Sequence, residues 1–168
     1  MMKHMTEENL KAAFAGESQA HMKYTNFAER AEKEGRPNVA RLFHATAFAE
    51  RVHASNHLRA LSGVEDTASN LTTAIGGETF EVDEMYPAYK AVAEVQAEPK
   101  ALRSMDWALQ AEVVHAALYT QAREAVRAGK DIQAQPIFVC TVCGFTTEGE
   151  APDVCPVCGA KHEKFRKF

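Results

Sequence analysis

The sequence predicts an all-α four-helix bundle followed by a small metal-binding domain of strands and loops. Three observations predict this class. Apolar residues recur at helical spacing through most of the chain, two Glu-x-x-His motifs stand 62 positions apart, and all four cysteines lie near the end. The length of 168 residues suits one domain of roughly 100–150 residues with a small appendage.

The first two helices are predicted over residues 7–34 and from Pro37 to about Leu61. Thr6 is a plausible N-cap for the first, and Gly35 marks its end. Proline is favoured in the first turn of a helix, so Pro37 suits the start of the second. These two segments form a predicted helical hairpin.

A third helix is predicted from about residue 69 or 70 to about residue 97, and a fourth from Pro99 to near Gly129. The third is the least regular, because Pro87 lacks a backbone N–H and is expected to kink it. The predicted domains are therefore a bundle over residues 1–130, a linker over 131–136 and a cysteine domain over 137–168.

The composition excludes several classes of protein. A net charge of −4 gives no basis for binding nucleic acid or an anionic membrane. The opening letters, MMKHMTEENL, lack the apolar run of a signal peptide, and no stretch approaches the ~20 apolar residues of a membrane span. We therefore expect a cytoplasmic protein.

The bundle contains an internal repeat. Aligning Pro37 with Pro99 gives six identities in seventeen positions, including the sequences AERVH and AEVVH. The offset of 62 residues is too long for a solenoid repeat. It indicates two related hairpins and a site with approximate two-fold symmetry between them.

Each predicted hairpin offers one glutamate on its first helix and Glu-x-x-His on its second. Helical phase places these groups on the apolar side: Glu17, Glu50 with His53, Glu81, and Glu112 with His115. A single Glu-x-x-His is usually a solvated pair, and a lone inward histidine is usually a core residue. Several unpaired buried carboxylates, however, cost several kcal/mol each, against a net stability of about 5–15 kcal/mol. The sequence therefore predicts a pair of metal ions.

The number of ligands matches the carboxylate-bridged di-iron or di-manganese sites of ferritin-like bundles. Glu50 and Glu112 are predicted to bridge the ions. The terminal ligands would be Glu17 with His53 and Glu81 with His115. Imidazole combined with oxygen donors suits iron or manganese.

Three further residues are candidates on the same faces. Glu84 is either a solvated carboxylate at the rim or a seventh ligand that binds when the metal changes charge. Tyr24 and Tyr89 either hydrogen-bond the carboxylates or pack as ordinary core tyrosines.

The C-terminal segment reads C-x2-C, eleven residues, then C-x2-C, which is typical of a tetrahedral metal site with four thiolates. The predicted ligands are Cys140, Cys143, Cys155 and Cys158. Zinc and iron are about equally compatible with this pattern alone. A redox-active dinuclear centre needs an electron source, which favours iron here.

Together these motifs resemble the rubrerythrins, which join a ferritin-like di-iron bundle to a rubredoxin-like Fe(Cys)4 domain. The resemblance covers essentially the whole chain and includes Glu84 in the sequence EMYP. It implies a di-iron site that is oxo-bridged when oxidised, with Glu84 and His53 as alternating ligands of one iron. Tyr24 and Tyr89 join these two as the expected catalytic group. The loop between the cysteine pairs departs from the family by being about a residue short.

The resemblance also implies a function. It is the reduction of hydrogen peroxide to water, with electrons from NAD(P)H through a separate reductase and the rubredoxin-type iron. The expected assembly is a homodimer in which the rubredoxin iron of one subunit serves the di-iron site of the other. The alternatives are an O2-using oxidase or ferroxidase, an iron-handling protein, and a non-catalytic protein that holds zinc.

Overall fold

The computed structural model describes residues 2–133 and 135–168, which form two compact units, 1–65 and 66–168. Each unit is described by itself. Met1, the first residue of the predicted bundle, and Ala134, inside the predicted linker, lie outside the described residues.

The first unit is a helical hairpin of α1 (His4–Lys33) and α2 (Pro37–Ala60). Helix α1 starts earlier than predicted, and its N-cap residue, Lys3, makes no side-chain cap, so Thr6 lies inside the helix. Gly35 allows the tight connection because it adopts a φ of +71°, which is readily available only to glycine.

Small residues line the contact between α1 and α2. The buried positions of the two helices are all alanines: Ala28, Ala31, Ala40, Ala47 and Ala54. Because alanine side chains are short, the two backbones can pack closely. Towards one end, the rings of Tyr24, Phe27 and Phe43 pack together with centroids 5.6–6.2 Å apart.

The second unit begins with α3 (Thr67–Phe80), which leads through a π-helix (Glu81–Met85) into α4 (Tyr86–Val95). Asp66 caps α3 by accepting a hydrogen bond from the backbone N–H of Ser69. The irregularity expected in this region is present, but it takes the form of a π-helix just before Pro87. A π turn accommodates one extra residue in a continuing helix.

Helix α5 (Pro99–Arg127) pairs with α3 and α4 to complete the second hairpin. The C-terminal domain follows, with strands β1 (Ile137–Cys140), β2 (Thr146–Glu148) and β3 (Phe165–Lys167). A short 3₁₀ helix, His162–Lys164, leads into β3. The strands form an antiparallel sheet in the order β2-β1-β3, and β2 packs against α5. The predicted order of long helices followed by a small strand domain is confirmed.

Within the described part of the chain, no helix combines the length and the apolar character needed to cross a membrane.

Candidate metal centre

The first hairpin brings together three of the predicted ligands, Glu17, Glu50 and His53. One ligand atom from each lies within 4.8 Å of the others. His53 Nδ1 is 3.0 Å from Glu50 Oε2. A hydrogen bond with Glu50 raises the pKa of Glu17, and the same contact, with His53, lowers the pKa of Glu50. The two carboxyl groups are therefore close enough to affect each other's charge, and a cation bound beside them would favour the ionised form of both.

The second hairpin forms a matching cluster of Glu78, Glu112 and His115, again within 4.8 Å. His115 Nδ1 lies 2.6 Å from Glu112 Oε2 and 3.9 Å from Glu78 Oε2. Burial, and then the neighbouring Glu112, raise the pKa of Glu78 to about 7. Burial and a neighbouring carboxylate both disfavour the ionised form of Glu78, and a bound cation would favour it.

The sequence reasoning missed Glu78 and gave its place to Glu81. Glu17 and Glu78 share a local pattern, Gly-Glu-Ser at 16–18 and Gly-Glu-Thr at 77–79, which could have revealed the equivalence. Glu81 lies one turn further along, in the π-helix. Burial, and then the charge of Glu112, raise its pKa, so it still faces the cluster.

Two more predicted site residues of this helix, Glu84 and Tyr89, lie away from the second cluster. Glu84 is exposed and belongs to neither cluster of the described residues. Tyr89 is 50 % exposed, whereas Tyr86 is half-buried, and burial with the charges of Glu81, Glu112 and Glu78 raises the pKa of Tyr86. The physical reason is the extra residue in the π-helix, which changes the phase of the side chains that follow it.

Tyr24 packs its ring against Phe27 and Phe43. Its hydroxyl makes no hydrogen bond to another described residue, so the packed-core reading describes its contacts in this structure. Its predicted catalytic role stays a prediction.

The two histidines differ in their second ring nitrogen. Nε2 of His115 is 2.8 Å from the hydroxyl of Thr146, at the start of β2. Nε2 of His53 has no hydrogen-bond partner among the described residues, and the His53 side chain is 53 % exposed against 27 % for His115.

The four cysteines converge as predicted. Cys140 Sγ is 3.6 Å from Cys158 Sγ, and Cys143 Sγ is 3.5 Å from Cys155 Sγ. Four sulfurs around one ion at about 2.3 Å would stand slightly further apart than this. None of the four forms a disulfide, and Cys140 and Cys155 are buried. The arrangement is that of a closed tetrahedral site.

Glycines shape both cysteine loops. Gly144 and Gly159 follow the second cysteine of each pair and adopt φ values of +83° and +74°. The backbone N–H groups of the next residues, Phe145 and Ala160, then reach the sulfurs of Cys143 and Cys158. Such N–H contacts stabilise thiolates, which is the form that binds metal.

Comparison with known proteins explains both sites. A model of the rubrerythrin family matches residues 8–123, and a model described as the rubrerythrin rubredoxin-like domain matches residues 138–166. The chain belongs to the rubrerythrin family. It is 40% identical to rubrerythrin-2 of Clostridium acetobutylicum over 98% of this chain and 97% of that protein. It is 34% identical to nigerythrin of Nitratidesulfovibrio vulgaris over 97% of this chain and 86% of that protein.

A solved structure of fully reduced, all-ferrous nigerythrin matches this rubrerythrin-family chain with a TM-score of 0.58 and 32% identity. The match covers 100% of this chain and 89% of the nigerythrin chain. The predicted fold class is thereby confirmed: a ferritin-like helical protein with a rubredoxin-like C-terminal domain.

The donor atoms of this rubrerythrin-family chain fit the expected metals. Each hairpin presents two carboxylates and one imidazole, which suit iron or manganese, and the C-terminal domain presents four thiolates. The chain therefore carries the ligand sets of a di-iron carboxylate site and of a rubredoxin-like iron site. These ligand sets are those of an iron-binding oxidoreductase.

A cavity of about 790 Å³ lies within the second unit, along α5. Its walls include the apolar side chains of Leu71, Leu118 and Ile137, and His115 is the single member of the Glu78 cluster that lines it.

Proposed function

We propose that the chain is a non-haem di-iron peroxidase that reduces hydrogen peroxide to water and protects the cell against oxidative stress. The observation that supports this most strongly is the combination of two metal sites in one chain. A closed four-cysteine site lies on the domain whose β2 strand packs against α5, the helix that carries Glu112 and His115. A closed thiolate site can transfer electrons but has no open position for substrate.

The proposed ligands follow the two clusters. Glu50 and Glu112 would be the ligands shared by the metals, as the sequence predicts, while Glu17 with His53 and Glu78 with His115 would each hold one metal. Glu81 takes the place that the sequence predicted for Glu84, as the extra carboxylate that compensates added positive charge.

When bound, the two irons supply two electrons and act as Lewis acids towards both peroxide oxygens. The balanced reaction consumes one peroxide, two electrons and two protons and releases two water molecules. The protein side chains orient the metal ligands and set the charge around them. His115 is hydrogen-bonded to Thr146, whereas His53 is more exposed and contacts Glu50. Tyr86 lies near the carboxylates of the second cluster.

The electron route is tested with Cys140→Ser in the full-length protein. NAD(P)H oxidation through a reductase should be lost, because the four-thiolate site is incomplete. Peroxide should still oxidise the chemically reduced carboxylate site at the parent rate. If reductase-driven turnover survives, the relay role of the cysteine site is wrong.

The oxidant is tested by comparing the rates of reoxidation with peroxide and with O2. A peroxidase should react much faster with peroxide at equal concentration. Comparable or faster reaction with O2 would identify an oxidase or ferroxidase instead. Metal analysis of the same sample distinguishes iron in both sites from zinc.

The proposed assembly is a homodimer in the cytoplasm. Large apolar side chains remain exposed on the first unit, among them Met22 at 55 %, Leu42 at 63 % and Phe48 at 57 %. Apolar surface of this kind commonly marks association with another protein chain. Light scattering on the metal-loaded protein should give twice the mass of one chain, and a monomer or a large cage would contradict the proposal.

A further inference from the structure

The contact between His115 and Thr146 joins the cysteine domain to the carboxylate cluster inside a single chain. Thr146 is 6 % exposed, and its hydroxyl lies 2.8 Å from His115 Nε2. The same hydroxyl donates a hydrogen bond of 3.0 Å to the carbonyl oxygen of Gly144. A buried hydroxyl with these two partners can accept from the imidazole while it donates to the carbonyl.

A threonine hydroxyl has one proton to donate and can accept through its oxygen. When Nδ1 of His115 binds a metal, the proton of the neutral imidazole stands on Nε2. The Thr146 oxygen would then accept from this Nε2–H while the Thr146 hydroxyl donates to the carbonyl oxygen of Gly144. A neutral imidazole with its proton on Nε2 has a free lone pair on Nδ1. In this structure Nδ1 is the nitrogen that faces Glu112, at 2.6 Å, and Glu78.

We propose that Thr146 is a positioning residue that holds His115 in the tautomer and orientation needed to bind metal through Nδ1. Gly144, which locates the hydroxyl, directly follows Cys143 and adopts a φ of +83°. The closed cysteine loop therefore orients a ligand of the other metal site. The proposal rests on the proposed dinuclear site and deepens it.

The test compares three variants of the full-length protein. Thr146→Val keeps the shape and the strand preference of threonine but removes the hydroxyl, and Thr146→Ser keeps the hydroxyl. Thr147→Val is the matched control, because Thr147 is the next residue of β2 and its hydroxyl faces only the carbonyl of Glu148. Affinity for Mn²⁺ or Fe²⁺ at the carboxylate site is measured by competition with a chelating dye.

Thr146→Val should weaken this affinity by about 10- to 100-fold, the usual effect of removing a partner of a metal-bound histidine. Thr146→Ser and Thr147→Val should bind like the parent. Equal affinity for the parent and Thr146→Val would overturn the proposal. If the parent itself binds metal only through its cysteines, the dinuclear site of the proposed function fails instead.

A spectroscopic signature separates positioning from general structural support. In the zinc-loaded protein, which is diamagnetic, the ¹H–¹⁵N signal of His115 Nε2–H should exchange slowly with water. It should be lost in Thr146→Val while the zinc content of the cysteine site stays unchanged. If Thr146→Val does not fold, the parent signal still decides, because exchange at the rate of a solvent-exposed imidazole would contradict the hydrogen bond.

Discussion

The two helical hairpins carry the same set of ligands, but the second is one residue longer between its first glutamate and its histidine motif. Glu17 precedes Glu50 by 33 positions, and Glu78 precedes Glu112 by 34. The extra residue lies in the π-helix, since Glu17 and Glu78 are 61 positions apart whereas Tyr24 and Tyr86 are 62 apart. A helix that gains one residue commonly absorbs it in this way.

The two clusters also differ chemically. The second hairpin gains Glu81 beside its cluster, at a place where the first has Ala20, and its histidine is held by Thr146. In the first hairpin His53 is half exposed and has one ring contact, with Glu50. The comparison teaches that two hairpins with the same ligand pattern can hold one cluster that is richer in carboxylates and more buried and one that is more exposed.

Removing the terminal carboxylates tests the comparison most severely. Glu17→Gln and Glu78→Gln should each weaken metal binding by more than the roughly 100-fold seen when an outer hydrogen-bond partner is removed, because each deletes a charged ligand. Exposed Glu29→Gln and Glu94→Gln are matched controls on α1 and α4 and should bind normally. Titration with Mn²⁺ measures the effect. Normal metal binding by Glu78→Gln would indicate that Glu81, as predicted from the sequence, is the terminal ligand instead.

The pH dependence of metal binding should reveal the second half-site. Since the pKa of Glu78 is about 7, metal must displace its proton below that pH. Affinity should fall by about tenfold per pH unit between pH 7 and 5.5 for this single proton. Chelator competition across that range is the measurement. A slope no steeper in the parent than in Glu78→Gln would contradict the assignment.

The metal-free protein should show the opposite trend in stability. The folded pKa of Glu78 lies above its usual value of 4.5, so the folded state binds this proton more tightly than the unfolded state. Stability from this group is therefore present at low pH and is lost as the pH rises through about 7. Denaturant unfolding of metal-free Glu78→Gln should show a weaker loss of stability over this range.

The tyrosines sharpen the comparison on a smaller scale. Tyr86→Phe should slow peroxide-driven oxidation of the loaded protein by about tenfold, because Tyr86 is the tyrosine surrounded by Glu78, Glu81 and Glu112. Tyr89→Phe should have almost no effect, because Tyr89 is half exposed. Stopped-flow absorbance measures both rates. The reverse order of effects would restore the sequence-based choice of Tyr89.

The sequence correctly predicted the features that follow from regular helical periodicity and from local end signals. The ends of α2 and α5, Pro37–Ala60 and Pro99–Arg127, lie within two residues of the prediction, because proline and glycine mark them locally. Each Glu-x-x-His motif lies next to a glutamate from the first helix of its own hairpin, and the four cysteines converge as predicted.

The differences at the candidate site are confined to the helix that contains the π turn. Outside the site, α1 begins at His4 rather than at residue 7, so Thr6 lies inside it. Counting at 3.6 residues per turn across the π-helix gives a wrong phase for the side chains that follow it. The choice of Glu81 has a different origin: Glu81 precedes Glu112 by 31 residues, close to the 33 between Glu17 and Glu50. The contact of Thr146 with His115 joins residues 31 positions apart on different elements. No periodicity within one helix or strand could reveal it.

The smallest predicted effect concerns the connection in each hairpin. Gly35 and Ala97 occupy equivalent places and both adopt positive φ, +71° and +53°. A left-handed conformation costs an L-residue about 1 kcal/mol, so Gly35→Ala should lower the free energy of unfolding by about that amount. Ala97→Gly should raise it, by somewhat less, because glycine gains entropy in the unfolded chain.

Gly76→Ala in the interior of α3 provides the control of opposite sign. A Cβ at Gly76 meets open space and its φ is not left-handed, so alanine should stabilise the helix by about 0.5–1 kcal/mol. Urea unfolding of the metal-free variants gives all three values. If Gly35→Ala and Gly76→Ala change the free energy of unfolding in the same direction, backbone conformation does not determine the stability of these connections. The connection at Ala97 in the second hairpin would then not be strained.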